Sequence, residues 1–146
     1  LVDAMAARLV RDPENFDVIV TTNMFGDILS DEASEIAGGL GLASSINYGD
    51  QNAMAQAQHG SAPEIAGKNI ANPTALIGSI AMLFNWLAIK RHDPTLGEAA
   101  LEIQNALAKM ISNVEARTRD LGGSNSTSGF GCGVASYLEG QSKVEF

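Results

Sequence analysis

Basic residues are scarce in this chain: nine Lys and Arg stand against seventeen Asp and Glu, for a formal net charge of −8. Phosphate backbones are bound by basic faces, and a chain this acidic assembles none, so no nucleic-acid partner is expected. A surface of this sign draws cations and metal ions instead. Cysteine occurs once, at Cys132, so no internal disulfide can form. That fits a reducing compartment, the cytoplasm or a mitochondrial matrix. Cys132 lies in Gly129-Phe130-Gly131-Cys132-Gly133, which carries no local catalytic pattern, and it reads as a packing residue. No apolar run is long enough to cross a bilayer and no secretory signal is visible, so no membrane partner is expected. A GxGxxG cradle is also missing. Gly38-Gly39-Leu40-Gly41 imitates one, but no strand precedes it in the required way, which argues against a Rossmann site.

What is present is an ordinary globular balance, 45% hydrophobic and 18% charged, rich in Ala and Gly, which argues for a packed chain and against a disordered one. At 146 residues it is one domain or part of a larger one. Val2 to Val10 has apolar residues at helical spacing and stops at Asp12-Pro13. Phe16 to Thr21 is a β-rich run that reads as a buried strand. Gly26 to Ala37 reads as a helix stopped by Gly38-Gly39. Ala43 to Tyr48 and Ala53 to Gln58 are strand candidates around the turn cluster Gly49-Asp50-Gln51-Asn52.

Ala62 to Ala66 reads as a single helical turn, and Asn72-Pro73 as the start of a helix running to about Ile89. That helix is so densely apolar that packing on several sides is expected. Pro94 opens another, from about Thr95 to Ala116, with Leu101, Leu107, Met110 and Ile111 as its apolar positions. A Gly/Ser-rich loop over Leu121 to Thr127 precedes a last helix from Phe130 to Leu138. Strands interspersed with helices indicate an α/β class. About three strands are too few for a closed sheet, so its completion by other segments or another chain is expected.

Asp27 and Asp31 stand four residues apart after the run Thr21-Thr22-Asn23-Met24-Phe25-Gly26. On a helix they share one face. Two hard carboxylates placed so can hold Mg²⁺ or Mn²⁺. The blander reading is a solvated helix start, where acids are favoured by the dipole. Thr21, Thr22 and Ser30 read as capping or turn groups.

Asn23-Met24-Phe25-Gly26-Asp27-Ile28-Leu29-Ser30-Asp31 resembles the metal-site motif of the decarboxylating dehydrogenases that act on isopropylmalate, isocitrate, homoisocitrate and tartrate. His59-Gly60-Ser61-Ala62-Pro63-Glu64-Ile65-Ala66-Gly67-Lys68, followed by Ile70-Ala71-Asn72-Pro73, resembles that family's adenosine-binding loop. Val2-Asp3-Ala4-Met5-Ala6 is similar to a third motif. The three occur in family order across essentially the whole chain, a far more specific signal than any one of them.

The resemblance implies an isopropylmalate-dehydrogenase-like α/β fold, here a C-terminal portion with a partial sheet flanked by helices. Residues 1–37 would close a central dimerisation and metal-site domain, and residues 38–146 would belong to the cofactor-binding domain. It implies oxidative decarboxylation of a 2-hydroxy acid, with Asp27 as the catalytic metal ligand and Asp3, Asp27 and Asp31 as the metal set. Asp3 would be donated to a neighbouring subunit, so a homodimer or higher homo-oligomer is expected. Without the resemblance, Asp3 reads as a helix N-cap.

The cofactor contacts implied are His59, Gly60, Ser61, Ala62, Glu64, Ile65 and Asn72. Glu64 at the adenosine ribose would accept from a 2′-hydroxyl and repel a 2′-phosphate, so NAD is expected over NADP. Gln56 departs from the pattern, because many relatives carry a glutamate there, near the nicotinamide amide. Arg117-Thr118-Arg119-Asp120-Leu121-Gly122-Gly123 also resembles a family stretch but is given no chemistry, and His92-Asp93-Pro94 reads as a solvated turn. The run Asp27 to Ser34 reads most like the 3-isopropylmalate branch, with the other acids open. The family's substrate arginines and its tyrosine–lysine pair do not occur here, so the isolated chain is expected to be inactive. A non-catalytic regulatory subunit is the alternative, and the three acids argue against it.

Overall fold

The computed structural model describes residues 1–141, and the chain divides into two units, Leu1–Leu40 and a second from Gly41 onward. In the first, helix α1 spans Val2–Arg11. Met5, Ala6 and Leu9 recur on one face, and Leu9 is buried. Asp12 stops the helix and accepts hydrogen bonds from Arg11 Nε at 2.7 Å and Arg8 Nε at 3.4 Å. The bond from Arg11 holds the Asp12 carboxyl below its usual range. Helix α2, Asn23–Ile36, packs against α1 through its buried Leu29. It starts three residues before the expected Gly26, because Thr22 turns extended and the Gly26 amide already closes on the Thr22 carbonyl. It ends where Gly38 and Gly39 take φ of 131° and 121°, with the Gly39 amide on the Ser34 carbonyl.

The strand expected over Phe16 to Thr21 does not form. The segment is partly extended, but it joins no ladder, and Val18 and Val20 are 81% and 93% exposed. A strand satisfies its backbone only on a neighbouring strand, and among the described residues none pairs with this run. The expectation of a buried strand is corrected accordingly, and among the described residues two of the three expected strands form.

In the second unit, β1 (Ser44–Tyr48) and β2 (Ala53–Ala57) form an antiparallel hairpin in the register Ile46 opposite Ala55. Gly49 to Asn52 makes the turn, closed by the Gly49 amide on the Asn52 carbonyl at 2.9 Å. Helix α3, Thr74–Arg91, lies against both strands and against α4, Pro94–Ser112; α5, Thr127–Gln141, packs on α4. The core gathers Ala106, Leu107, Phe130 and Val134.

Helix α3 uses small residues to approach its neighbours. Ala75, Gly78, Ser79 and Ala81 are buried. Ser79 Oγ accepts from the Ser45 amide at 3.0 Å and faces the Gln56 carbonyl at 2.7 Å, tying both strands to the helix. Leu76 and Ile89 stay exposed, so the dense apolar pattern is satisfied towards the hairpin and α4 and not on the face that carries these two residues.

Three further expectations are corrected. Helix α4 ends at Ser112, not Ala116, because Asn113 turns extended and its side chain accepts from the Glu115 amide; Leu101 on this helix is exposed. Helix α5 begins at Thr127, three residues early, because its first turn is anchored from outside, by Asn69 and Ala71. Cys132 is exposed on α5 and packs nothing inward; Phe130 and Val134 take the core positions instead.

Candidate functional site

Asp27 and Asp31 both lie on α2, one turn apart, and both are exposed. Asn23 Nδ2 reaches Asp27 Oδ2 at 3.5 Å, and Ser30 Oγ donates to the Asp27 carbonyl at 3.2 Å. Thr22 is the N-cap by backbone geometry, but its side chain makes no capping bond. Asp3 sits inside the first turn of α1, also exposed, so it is not the N-cap; Leu1 holds that position. Among the described residues no group of three or more His, Cys, Asp or Glu gathers at metal-binding range. The pair nonetheless suits a hard divalent cation. It offers carboxylate oxygens one turn apart on one exposed helix face, the hard donors such a cation takes.

The second candidate region is the loop from His59 to Asn72. His59 Nδ1 donates to the Gly60 carbonyl at 2.9 Å, which leaves Nε2 as the acceptor in the neutral ring. Gly60, Ser61, Ala62 and Glu64 are exposed, and Ile65 is half-buried. Ala62 takes φ of 42°, a left-handed conformation unusual for a residue with a Cβ, and opens the short 3₁₀ turn Pro63–Ile65 that presents Glu64. An exposed run of backbone and small side chains, with one acid raised on a turn, fits a ribose and diphosphate lying along it.

The loop is held at its far end. The Asn69 carbonyl accepts from the Thr127 amide at 3.0 Å, and the Asn69 side chain brackets Ser128, donating to Oγ at 2.8 Å and accepting from its amide at 3.0 Å. Thr127 Oγ1 donates to the Ala71 carbonyl at 2.5 Å. Asn72, 7% exposed, accepts from the Thr74 amide through Oδ1 at 3.0 Å and donates through Nδ2 to Asp120 Oδ2 at 2.8 Å. Thr118 Oγ1, fully buried, donates to the other Asp120 oxygen at 2.5 Å. Both atoms of the Asn72 amide thus face inward, and its backbone is what the residue offers to a ligand.

Thr118, Asp120, Asn69 and Ser79 escaped sequence reasoning. Thr118 and Asp120 lie in the Arg117 to Gly123 stretch that resembles the family but carried no assigned chemistry, and the bonds from Asn69 to Ser128 and from Asn72 to Asp120 span gaps in sequence that no local pattern encodes. Gln56 is exposed on β2, with its carbonyl fixed by Ser79. A hollow of about 530 Å³ lined by Ile46, Tyr48, Met82, Trp86, Ile89 and Lys90 contains none of the predicted site residues. No helix among the described residues is long and apolar enough to cross a membrane.

Comparison with known proteins bears on both regions. The family model described as isocitrate/isopropylmalate dehydrogenase matches residues 1–134. Homoisocitrate dehydrogenase of Methanocaldococcus jannaschii is 51% identical over 138 residues, which cover 94% of this chain and 38% of that protein. The 3-isopropylmalate dehydrogenase of Sulfurisphaera tokodaii is 48% identical over 126 residues, covering 86% of this chain and 37% of that protein. Among solved structures, isocitrate dehydrogenase from Methylococcus capsulatus superposes with a TM-score of 0.85 at 40% identity, over 94% of this chain and 39% of that one. The chain therefore spans somewhat under two-fifths of the length of these relatives.

Proposed function

This chain belongs to the isocitrate/isopropylmalate dehydrogenase family, and we propose that the protein oxidatively decarboxylates a 2-hydroxy acid with NAD and Mg²⁺ or Mn²⁺. The first candidate substrate is 3-isopropylmalate; isocitrate, homoisocitrate and tartrate are the alternatives. The observation that carries the reading is the pair Asp27 and Asp31, exposed together on one face of α2 inside a motif that resembles the family's metal site. Bound groups supply the reactive chemistry: hydride acceptance at the dinucleotide, and polarisation of the substrate carbonyl by the cation as carbon dioxide departs.

The chain's own residues bind and orient. Asp27 and Asp31 would hold the cation, which when bound would supply a fixed anchor for the oxygens of the substrate. Asp3 completes the site of a second copy, which makes a homodimer part of the function. Gly60 to Pro63 offer backbone along the ribose and phosphate, His59 flanks the adenine, and the Asn72 backbone meets its edge. Glu64 accepts from the ribose 2′-hydroxyl and repels a 2′-phosphate. Gln56 meets the nicotinamide amide with a hydrogen bond but no charge.

The test is an assay of the full-length protein with Mn²⁺ and NAD against the four acids. One of them is expected to be turned over, and Asp27→Asn is expected to lower kcat by at least about a hundredfold. A variant retaining most of the wild-type rate would remove Asp27 from the site.

A further inference from the structure

We infer that Asp120 is a positioning residue for dinucleotide binding, acting through Asn72; this rests on the reading of the His59 to Asn72 loop as the cofactor site. Asp120 lies 48 positions from Asn72 in sequence, in the 3₁₀ turn Arg119–Leu121. Its two carboxylate oxygens have separate partners. Oδ1 accepts from the buried Thr118 hydroxyl, and Oδ2 from Asn72 Nδ2 at 2.8 Å. The first bond fixes the carboxylate, and the second fixes which way the Asn72 amide faces. With Nδ2 committed to an acceptor-only group, Oδ1 must be the atom turned to the Thr74 amide, the first of α3, at 3.0 Å.

Flipping the amide would set two donors against each other at α3 and two acceptors against each other at Asp120. The charged partner therefore selects one rotamer of Asn72, and with it the path of the backbone leaving the loop. The site is also built closely. A Cβ placed on Gly41 would lie 2.9 Å from both Asn72 Cβ and Asp120 Oδ2, so that glycine is what lets the two side chains meet there.

The consequence is directional. The clamp from Asn69 and Ala71 to Thr127 and Ser128 holds the backbone just before Asn72, and Asp120 holds the side chain. None of these groups is spent on a ligand. What they do is keep the exposed end of the loop from having to be ordered when a dinucleotide arrives. Losing Asp120 should therefore weaken binding and leave the chemical step nearly unchanged.

The experiment uses the full-length protein and its preferred dinucleotide. Asp120→Ala is expected to raise the KM for the dinucleotide about tenfold with kcat within about twofold. Asn72→Ala, which also removes the bond to the Thr74 amide, should raise that KM at least as far, and the double variant should be no worse than Asn72→Ala alone, because Asp120 acts through Asn72. Asp120→Asn should recover most of the affinity: its amide oxygen can accept from Asn72 while its NH₂ donates to the Thr118 hydroxyl, which can rotate to accept. Additive effects of the two alanine variants, or a fall in Tm with the KM unmoved, would overturn the positioning role while leaving the dehydrogenase reading intact. A wild-type protein with no dinucleotide-dependent activity on any candidate acid would overturn both.

Discussion

The two units spend similar apolar content very differently. In Leu1–Leu40 only Leu9 and Leu29 are buried hydrophobics, while Val10, Val18, Val20, Met24 and Ile28 are each more than half exposed. From Gly41 onward, four helix and hairpin elements close on Ala75, Ala81, Ala106, Leu107, Phe130 and Val134. Both regions carry the sequence pattern of buried elements, but only the second contains the partners that bury them. The same division runs through the candidate sites. The carboxylate pair on α2 rests on a helix packed against α1, whereas the His59 to Asn72 loop is tied to α5 and to Asp120 by hydrogen bonds across long sequence gaps.

The largest consequence should appear in hydrogen exchange. In the isolated 146-residue chain, amides of α1 and α2 are expected to exchange at least about a thousandfold faster than those in the middle of α3 and α4. Equal protection would mean that the first unit finds a core of its own, and the contrast would collapse. Next in size is a cavity in the second unit. Phe130 is fully buried, and Phe130→Ala should cost about 3–5 kcal/mol in denaturant unfolding. Leu29→Ala should leave that transition where it is.

A smaller effect concerns ligand choice on the anchored loop. Glu64→Lys in the full-length protein should shift the NADP-to-NAD ratio of kcat/KM upward by about tenfold or more, since it exchanges repulsion of a 2′-phosphate for attraction. An unchanged ratio would separate Glu64 from the ribose.

The smallest effect lies at the start of α4. Asp93 accepts from the Thr95 hydroxyl at 2.6 Å and the Thr95 amide at 3.0 Å, and these bonds, the hydroxyl's first, hold its carboxyl below the usual range. A carboxylate with a depressed folded value stabilises the fold above the ordinary Asp range, about pH 4, and loses that contribution as pH falls through the depressed value. Asp93→Ala should therefore lower Tm slightly at pH 7 and by less at pH 2. A Tm gap of the same size at both pH values would show that the charge plays no part.

Much of the architecture could be read from the residues, and the failures share one cause. Helices α1 to α5 and the hairpin were all foreseeable from periodicity, Gly-Gly and Asp-Pro stops and the turn cluster at Gly49. The loop that presents Glu64 was foreseeable from its composition and its resemblance. Phe16 to Thr21, the exposure of Cys132 and Leu101, and the early start of α5 were not. Neither was the link from Asn72 to Asp120, because a stretch with no periodicity gives no sign of what it will touch.

The sequence by itself determined the helices, the hairpin turn, the acid pair one turn apart and the family to which the chain belongs. A helix closes its hydrogen bonds four residues back, and a tight turn closes its own, so local composition suffices for both. Tertiary structure alone decided which apolar faces are covered, whether a β-rich run becomes a strand, and which way the Asn72 amide points. Each of those needs a partner distant in the chain, and only the folded arrangement supplies it.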